Sequence, residues 1–509
     1  MLGQYILSLL IWFPILGGFL TLATGNDKHA QINRWVALTF AIITLLLCVP
    51  LYMNFDATQW QMQFVENVSW IPMLNVHYAL GVDGISMLFI LLTCFTNLIV
   101  VLAAWRAVTK NVAQYMAVFL ISTGIMNGAF CATDSILFYF FWEASLIPMY
   151  LGIGIWGGKL RSYAAIKFFL YTFLGSIFLL VAFLYMGSKA GSFSIADFSQ
   201  LSLSPGVEDL LFLAFFAAFA VKIPMWPVHT WLPDAHTEAP AGGSVVMAAL
   251  MLKMGAYGFL RFSLPIVPDV HQNYEWFLII LSLIAVVYVG FACVVQKDMK
   301  RLIAYSSISH MGIVTLGLFM VFMIVAKTGD PADAMLSIQG AMFQMIAHAF
   351  SSGALFVGVS YLYLRFGSRM ISDYQGVAKS MPVFAAFYML FAMANVGLPG
   401  TSGFVGEFLV ILAAFKANIW IALIAAFTVI LAPAYTLWMY KRVLFGKMTN
   451  PSLAQTTDIK GSEIAVFVLL AIPILVFGVY PEWILQISHA TTAHFVQMIM
   501  QKIPAGALS

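Results

Sequence analysis

About fourteen stretches of roughly 20 mostly apolar residues follow one another along this chain, and roughly 20 such residues let an α-helix cross a membrane. Of the 509 residues, 62% are hydrophobic and only 9% are charged. A soluble domain carries about 25% charged residues, so this chain lacks the polar residues to cover a water-exposed surface. We therefore predict an all-α polytopic membrane protein that forms a single membrane domain over residues 1–509.

The predicted spans are connected mostly by short loops, which suits antiparallel neighbouring helices. The first ten residues lack the basic segment of a cleavable signal peptide, so none is predicted. The spans lie near 4–24, 34–53, 83–105, 113–131, 135–155, 166–188, 209–226, 242–262, 275–296, 302–325, 334–364, 383–416, 418–444 and 463–485.

The basic residues predict the orientation of the chain. With the N-terminus outside, seventeen of the 24 Lys and Arg residues fall in cytoplasmic loops and five in outer loops or span ends. The remaining two, Lys222 and Lys253, lie within spans. Because cytoplasmic loops are enriched in Lys and Arg, this asymmetry favours fourteen spans with both termini on the outer side.

Two of the predicted spans are interrupted by helix breakers. Pro224 and Pro227 follow Lys222 directly, and Pro399 lies in a glycine-rich run at 396–408. The breaks are five spans apart, so the second lies in a segment of opposite direction, a pattern typical of inverted-repeat transporters.

The two breaks predict a division of the chain into repeats. We predict one five-helix unit at 113–264 and an inverted second unit at 275–445. Three helices at 1–112 precede them, with an outer hairpin loop at 54–82 where Trp60, Met62 and Phe64 alternate with glutamines. A final helix and a short tail at 446–509 follow.

Four ionisable side chains lie inside the predicted spans, namely Glu143, Lys222, Lys253 and Glu407. Each charge near a bilayer centre costs roughly 2.5–3.5 kcal/mol on insertion scales, so such residues usually serve a function. Acids and bases in a membrane interior indicate proton transfer. Whether Lys222, at its helix break, holds a proton depends on the position of a carboxylate, for which Glu143 is the natural candidate.

Two histidines extend this set. His348 shares one helix face with Gln344, Ser351 and Ser352, and His310 shares another face with Ser306. An imidazole both donates and accepts hydrogen bonds and titrates near physiological pH, so it suits a proton relay.

Purely structural roles remain open for each of these residues. Glu143 and Lys222 also suit a static ion pair that braces two helices, and Lys253 also suits a lysine held by carbonyl groups of a broken neighbour. Either histidine also suits a hydrogen-bonded core position, and Glu407 one that faces the outer headgroups.

Cofactor signatures are missing from the sequence. The four cysteines are scattered singly through apolar segments, and no CxxC pair or Walker motif occurs. No GxGxxG run opens a helix after a predicted strand. We therefore expect no cofactor and no metal on this chain.

Four segments resemble the antiporter-like membrane subunits of respiratory complex I, the NADH:quinone oxidoreductase. Two features favour one subunit type over its siblings L and N: Glu407 stands where L, N and the Mrp antiporter chains usually have lysine, and the long lateral helix typical of L is missing. The four segments are FFWEASLIPMY (140–150), AVKIPMWPVHTWLPDAHTEAPAGGSV (220–245), KRLIAYSSISHMG (300–312) and GLPGTSGFVGEF (397–408).

The resemblance implies a proton-translocating subunit of the bacterial cytoplasmic membrane. It implies that Glu143 and Lys222 form a charge pair, Lys253 a central relay and Glu407 a terminal acid. His310 and His348 match positions on the hydrated axis that connects them. It further implies subunits L and N as flanking partners, lipid contacts, and redox cofactors confined to partner subunits.

Three alternatives stay open at this point. The chain also suits a subunit of an Mrp-type Na⁺/H⁺ antiporter or of a proton-linked membrane hydrogenase. A passive scaffold that holds other pumps together is the third.

Overall fold

The computed structural model describes residues 2–25, 27–448, 453 and 455–502, and most of them are helical. Only β1 (Gln63–Ile71) and β2 (Val76–Val82) form a sheet in the described part. The helices of the first half are α1 (Ile6–Ala23), α2 (Ala30–Met53), α3 (Gly84–Ala107), α4 (Val112–Cys131), α5 (Ser135–Ala144), α6 (Leu146–Trp156), α7 (Arg161–Ala190), α8 (Pro205–Lys222), α9 (Trp231–Glu238) and α10 (Ala241–Ile266).

The second half of the chain is also mostly helical. In both halves, short helical segments lie in the connections between longer helices, at Ile195–Phe198, Pro268–Asn273 and Val377–Ser380. The longer helices are α11 (Glu275–Val294), α12 (Met299–Phe319), α13 (Val321–Thr328), α14 (Pro331–Phe366), α15 (Pro382–Val396), α16 (Ser402–Ala417), α17 (Ile419–Ala425), α18 (Thr428–Leu444), α19 (Ser462–Val479) and α20 (Glu482–Lys502).

Among the described residues, 12 helical segments are long and apolar enough to cross a membrane. This confirms the all-α polytopic membrane class. The seventh and twelfth predicted spans are missing from the 12, because α8 and α9, and α15 and α16, are separate pieces. The count of fourteen spans, the domain boundaries and the inverted repeats at 113–264 and 275–445 therefore stay predictions.

The helix breaks occur where the sequence predicted them. α8 ends at Lys222, and the chain leaves helical geometry before α9 begins at Trp231. The predicted seventh span, 209–226, is nevertheless too short, because α9 continues this span toward the other side of the molecule. In the second break, Gly397 (φ +80°) and Gly400 (φ +89°) adopt left-handed conformations that glycine tolerates best.

Aspartates fix the beginnings of several helices. Asp83 accepts hydrogen bonds from the backbone N–H groups of Ile85 and Ser86, and Asp134 does the same at the start of α5. Asp298 and Asp330 cap α12 and α14. Each cap satisfies N–H groups that the first helical turn leaves free.

The hairpin predicted within 54–82 is present, although β1 begins only at Gln63, after most of the alternating residues. Its strands are antiparallel, with Glu66 opposite Leu80 and Ser69 opposite His77. Glu66 Oε1 accepts from the backbone N–H of Leu7 at 2.9 Å, which fastens the hairpin to the start of α1. We call the side of the molecule that carries this hairpin the hairpin face.

The predicted short tail is wrong, since the final span ends at Val479 and the 21-residue helix α20 follows. This helix packs on the hairpin face against α3 and α14. Its apolar and small polar residues recur at helical spacing, which a search for unbroken apolar stretches overlooks. The buried residues are Ile484, Ile487, Ser488, Thr491, Thr492, Phe495, Val496 and Ile499.

The contact between α3 and α20 generates a prediction. A Cβ at Gly84 would lie 2.2 Å from the Ile487 carbonyl oxygen, and the Gly84 N–H donates to Thr491 Oγ1 at 3.0 Å. Gly84→Ala should therefore lift α20 away at a cost of about 1–3 kcal/mol. Maleimide labelling of a Ser488→Cys reporter should rise in the Gly84→Ala background.

The control is Gly206→Ala, because a Cβ at Gly206 meets nothing within 4 Å. Equal labelling of the reporter in the Gly84→Ala and Gly206→Ala backgrounds would contradict the packing described for α20.

Candidate functional site

Lys222 lies at the end of α8, where Pro224 and Pro227 stop the helix. The two halves of the broken span stay connected because Trp231 Nε1 donates to the Val221 carbonyl at 2.9 Å. The Lys222 side chain is buried, with Nζ 3.5 Å from Ser145 Oγ and 4.8 Å from the centroid of the Trp142 ring. The break thus holds an ammonium group in the membrane interior.

Glu143 lies on α5, two residues before the Ser145 break between α5 and α6. Its side chain is half-buried, interacts electrostatically with Lys222 and lies beside Ser176. In the described part, however, Lys222 makes no ion pair with a carboxylate at 4.0 Å or less. The predicted partners therefore face each other without direct contact, and the Ser145 hydroxyl is the group that Lys222 touches.

Lys253 lies in the middle of α10 between two wider π-helical turns, Met247–Met251 and Phe259–Ser263. Such turns are frequent at functional sites. Nζ of Lys253, completely buried, donates to the Ala248 carbonyl of the first turn at 2.5 Å and lies 2.7 Å from His348 Nδ1. The ammonium thus contacts a carbonyl group of its own helix and a histidine of α14.

A second contact pair follows on the other side of His348. The rings of His348 and His310 lie 5.7 Å apart between centroids. His310 Nδ1 lies 2.6 Å from Glu407 Oε1, and Gln344 Nε2 donates to the same oxygen at 3.2 Å. Lys253, His348, His310 and Glu407 thus form a line across α10, α14, α12 and α16, which we call the central axis.

Glu407 is 4% exposed, so its carboxylate does not face the headgroups, which is the alternative that the sequence leaves open. Of the polar stripe of α14, Ser352 contacts the axis, because its Oγ lies 3.4 Å from His348 Nδ1. Ser351 Oγ donates to the His348 backbone carbonyl at 3.4 Å. Ser306 instead contacts the Tyr435 hydroxyl at 3.2 Å.

The contacts of Ser306 reveal a polar cluster that the sequence analysis missed. Asn395 Nδ2 donates to Ser306 Oγ at 3.2 Å and to Thr436 Oγ1 at 3.1 Å. The Tyr435 hydroxyl lies in the electrostatic field of Glu407. The cluster therefore extends polar groups from Glu407 toward α18. No sequence periodicity marks it, since its members come from three helices.

His236 of α9 was also missed as a site residue. It is completely buried, its ring stacks on Phe356 at 4.4 Å, and it lies in the electrostatic field of both Lys253 and Lys300. Lys300 is buried in the first turn of α12 and donates to the Ala239 carbonyl at 2.6 Å. The one sequence signal for His236 is its position in the WLPDAH segment.

Several buried polar atoms of the axis have no hydrogen-bond partner among the described residues. They are Nε2 of His348, Nε2 of His310, Oε1 of Gln344 and both ring nitrogens of His236. Buried polar groups usually bind water when the protein offers no partner. The arrangement therefore suits a chain of water molecules between fixed acids and bases.

Ion pairs brace α9 on the face opposite the hairpin. Lys167 Nζ lies 2.7 Å from Asp234 Oδ2, and Arg301 approaches the same carboxylate at 3.5 Å. Arg369 approaches Glu238 at 3.4 Å. Lys167 thus anchors the half-helix that carries His236.

The charged residues of the axis do not form a metal site. Among the described residues, no group of three His, Cys, Asp or Glu side chains is placed to hold a metal ion. The four cysteines are buried free thiols. The chemistry that the site supports is the transfer of protons between nitrogen and oxygen atoms.

Comparison with known proteins gives consistent relationships. Residues 132–432 match the family model described as NADH:quinone oxidoreductase/Mrp antiporter, TM. NADH-quinone oxidoreductase subunit M of Rhodobacter capsulatus is 48% identical over 510 residues, covering 97% of each chain. NADH-ubiquinone oxidoreductase chain 4 of Marchantia polymorpha is 38% identical, covering 96% of this chain and 97% of that protein.

Solved structures share the fold. A chain of respiratory complex I from Thermus thermophilus superposes with a TM-score of 0.87 at 30% identity, covering 97% of this chain and 99% of that chain. A chain of the Mrp complex from Dietzia sp. shares the fold with a TM-score of 0.83 at 21% identity, covering 100% of both chains. These matches confirm the resemblance to antiporter-like subunits of complex I. The chain belongs to the NADH:quinone oxidoreductase/Mrp antiporter membrane family, among the relatives named subunit M or chain 4.

Proposed function

We propose that this chain translocates protons as a membrane subunit of a bacterial NADH:quinone oxidoreductase, along the line from Glu143 and Lys222 through the central axis to Glu407. The observation that carries the proposal is the pair of short contacts at its centre, Lys253 to His348 at 2.7 Å and His310 to Glu407 at 2.6 Å. A proton moves readily between groups at such distances or through one water molecule.

The gap between the two contact pairs supports the same proposal. Both facing histidines keep a buried Nε2 atom without a partner in the described part, at a ring separation of 5.7 Å. A water molecule that accepts from one ring and donates to the other would complete the line. An imidazole relays a proton in this way because it is donor and acceptor at once.

Coupling to the redox reaction would be electrostatic. The half-buried Glu143 lies at the edge of the chain, where a neighbouring subunit reaches it, and Lys222 senses its charge. A charge change at Glu143 alters the proton affinity of Lys222 and drives the proton toward Lys253. Moving one charge against 100 mV costs about 2.3 kcal/mol, and a shift of two pKa units supplies about 2.7 kcal/mol.

The assembly around the chain completes the proposal. Subunits L and N flank it, lipids cover the remaining membrane surface, and both termini lie on the periplasmic side. NADH oxidation and quinone reduction occur on partner subunits, so the chain acts as part of a translocase without a redox site of its own. The exposed apolar side chains of α7, such as Leu170, Leu174 and Val181, suit lipid or subunit contact.

Lys253 gives the most direct test. Lys253→Met removes the one ammonium between Ala248 and His348 while keeping the length of the side chain. We expect the ratio of protons moved to NADH oxidised in proteoliposomes to fall. The rate of proton transport through this subunit should drop by at least about tenfold, which corresponds to a barrier raised by about 1.4 kcal/mol.

The matched control is Lys416→Met, because that lysine is partly exposed and pairs with Asp333 at 3.5 Å away from the axis. A full proton ratio in assembled Lys253→Met complex would overturn the proposed function. The passive scaffold predicts that same full ratio even when all four ionisable residues are neutral.

The Ser145 contact gives a graded test. Lys222→Met should stop transport through this subunit. Ser145→Ala removes the hydroxyl that accepts from Lys222 and donates to the Trp142 carbonyl. Loss of the Lys222 contact, worth about 1 kcal/mol, should slow NADH-driven proton transport by about fivefold. The control Ser202→Ala changes an exposed loop serine. Equal rates for Ser145→Ala and Ser202→Ala would exclude Ser145 from the coupling.

The Na⁺/H⁺ antiporter alternative makes a different prediction. The contact between His310 and Glu407 joins an imidazole to a carboxylate, a pair that suits proton transfer. Replacing Na⁺ by K⁺ in the proteoliposome assay should leave the initial rate of proton transport unchanged. A rate that rises with Na⁺ concentration would favour the antiporter.

A further inference from the structure

Lys253 has two polar neighbours along its own helix that the axis does not use. Tyr257 and Arg261 follow it at intervals of four residues, so all three lie on one face of α10 and lead toward the hairpin face. Arg261 Nε donates to the Tyr257 hydroxyl at 3.2 Å. This line leaves the central axis at Lys253 and follows α10 toward the hairpin face.

Tyr257 closes this line in the present structure. Its hydroxyl donates to the Phe130 carbonyl at 3.0 Å, and its ring is enclosed by three phenylalanines. The ring centroids of Phe89, Phe130 and Phe138 lie 6.0, 5.3 and 6.4 Å from that of Tyr257. We call these four rings the aromatic collar. It leaves Tyr257 completely buried between Lys253 and Arg261.

Beyond the collar lies a buried ion pair. Nη2 of Arg261 is 2.8 Å from both carboxylate oxygens of Asp83 and 3.2 Å from Ser86 Oγ. Asp83 also caps α3, so the pair fixes the end of α10 to the beginning of α3. An ion pair that only held these two helices together would need no hydroxyl group between Arg261 and Lys253. Arg261 nevertheless contacts the Tyr257 hydroxyl.

The ion pair opens into a cavity on the hairpin face. This cavity has a volume of about 320 Å³ and is lined by Asp83, Arg261, Trp60, Thr491 and His494 among others. His494 of α20 stacks on Trp60 at 3.6 Å between centroids, which joins α20 to the hairpin connection over the cavity. The space is large enough for several water molecules, and Asp83 and Arg261 supply polar groups that bind them.

We propose that the aromatic collar and the Asp83–Arg261 pair form a gate between Lys253 and the hairpin face, closed in this structure. The inference rests on the proposed function. A pump must never connect its central proton-binding group to both sides of the membrane at once. A barrier must therefore separate Lys253 from the side with which it is not exchanging protons. The gate opens when the Tyr257 hydroxyl leaves the Phe130 carbonyl and water from the cavity reaches Lys253.

The test uses the assembled complex in proteoliposomes without NADH. A K⁺ diffusion potential drives protons inward, and an enclosed pH dye records their passive flow. Tyr257→Ala removes the central ring of the collar and should raise this flow at least about tenfold. Tyr257→Phe keeps the ring but removes the hydroxyl that contacts the Phe130 carbonyl, so its resting flow should lie between those of the unchanged complex and Tyr257→Ala.

The double variant Tyr257→Ala/Lys253→Met distinguishes a gate from a mere defect in packing. If the leak passes through Lys253, the double variant returns to the background flow. The packing control is Phe259→Ala, which removes a buried ring of the same helix that packs on Phe219 and Phe319 instead. This control should stay tight.

Two outcomes would overturn the gate: no leak in assembled Tyr257→Ala complex, or a leak that persists in the double variant. Should Tyr257→Ala fail to assemble, Phe89→Ala opens the same collar from α3 and must give the same Lys253-dependent leak. The two proposals fail separately, because normal pumping by Lys253→Met refutes the proposed function whereas a tight Tyr257→Ala complex refutes only the gate.

Discussion

The contacts of the buried Lys253 amino group are the interactions on which the rest of the membrane interior depends. A charge at that depth is tolerated only with close polar partners, and the chain supplies two of them by different means. A π-helical turn places the Ala248 carbonyl within 2.5 Å, and α14 brings His348 within 2.7 Å. With His348 held in this position, the His310 ring lies next to it, and His310 contacts the Glu407 carboxylate.

The two broken helices extend this arrangement. Each break exposes backbone groups inside the membrane, which are tolerated only where protein or water satisfies them. The first break carries Lys222, with Ser145 as its hydroxyl partner, and the second precedes Glu407. Ionisable side chains thus occupy the places where the helices are already polar, so the cost of the break and the cost of the charge are met by the same local environment.

Sequence reasoning identified the membrane class and both breaks, because apolar length and proline are local signals. It also singled out Lys253, His348, His310 and Glu407, which the structure brings together, whereas their role in proton transfer stays a prediction. It did not predict that Ser145 is the contact of Lys222, since the approach of α5 to α8 is a tertiary feature. It also missed His236 and the cluster around Asn395, whose members become neighbours only after helices from distant parts of the chain pack. The helix α20 escaped notice because its amphipathic stripe lacks the unbroken apolar run of a membrane span.

The helix α14 has a consequence for how the chain responds to its surroundings. Its 36 residues form one unbroken rod of about 54 Å, much longer than the roughly 30 Å hydrocarbon layer. Broken segments surround this rod and contact it near His348 and Gln344. The apolar part of the rod is enclosed by protein, so its tilt is set by the neighbouring helices and not by the lipid. A shift of either broken segment would therefore act on the rod directly and change the spacing at His348.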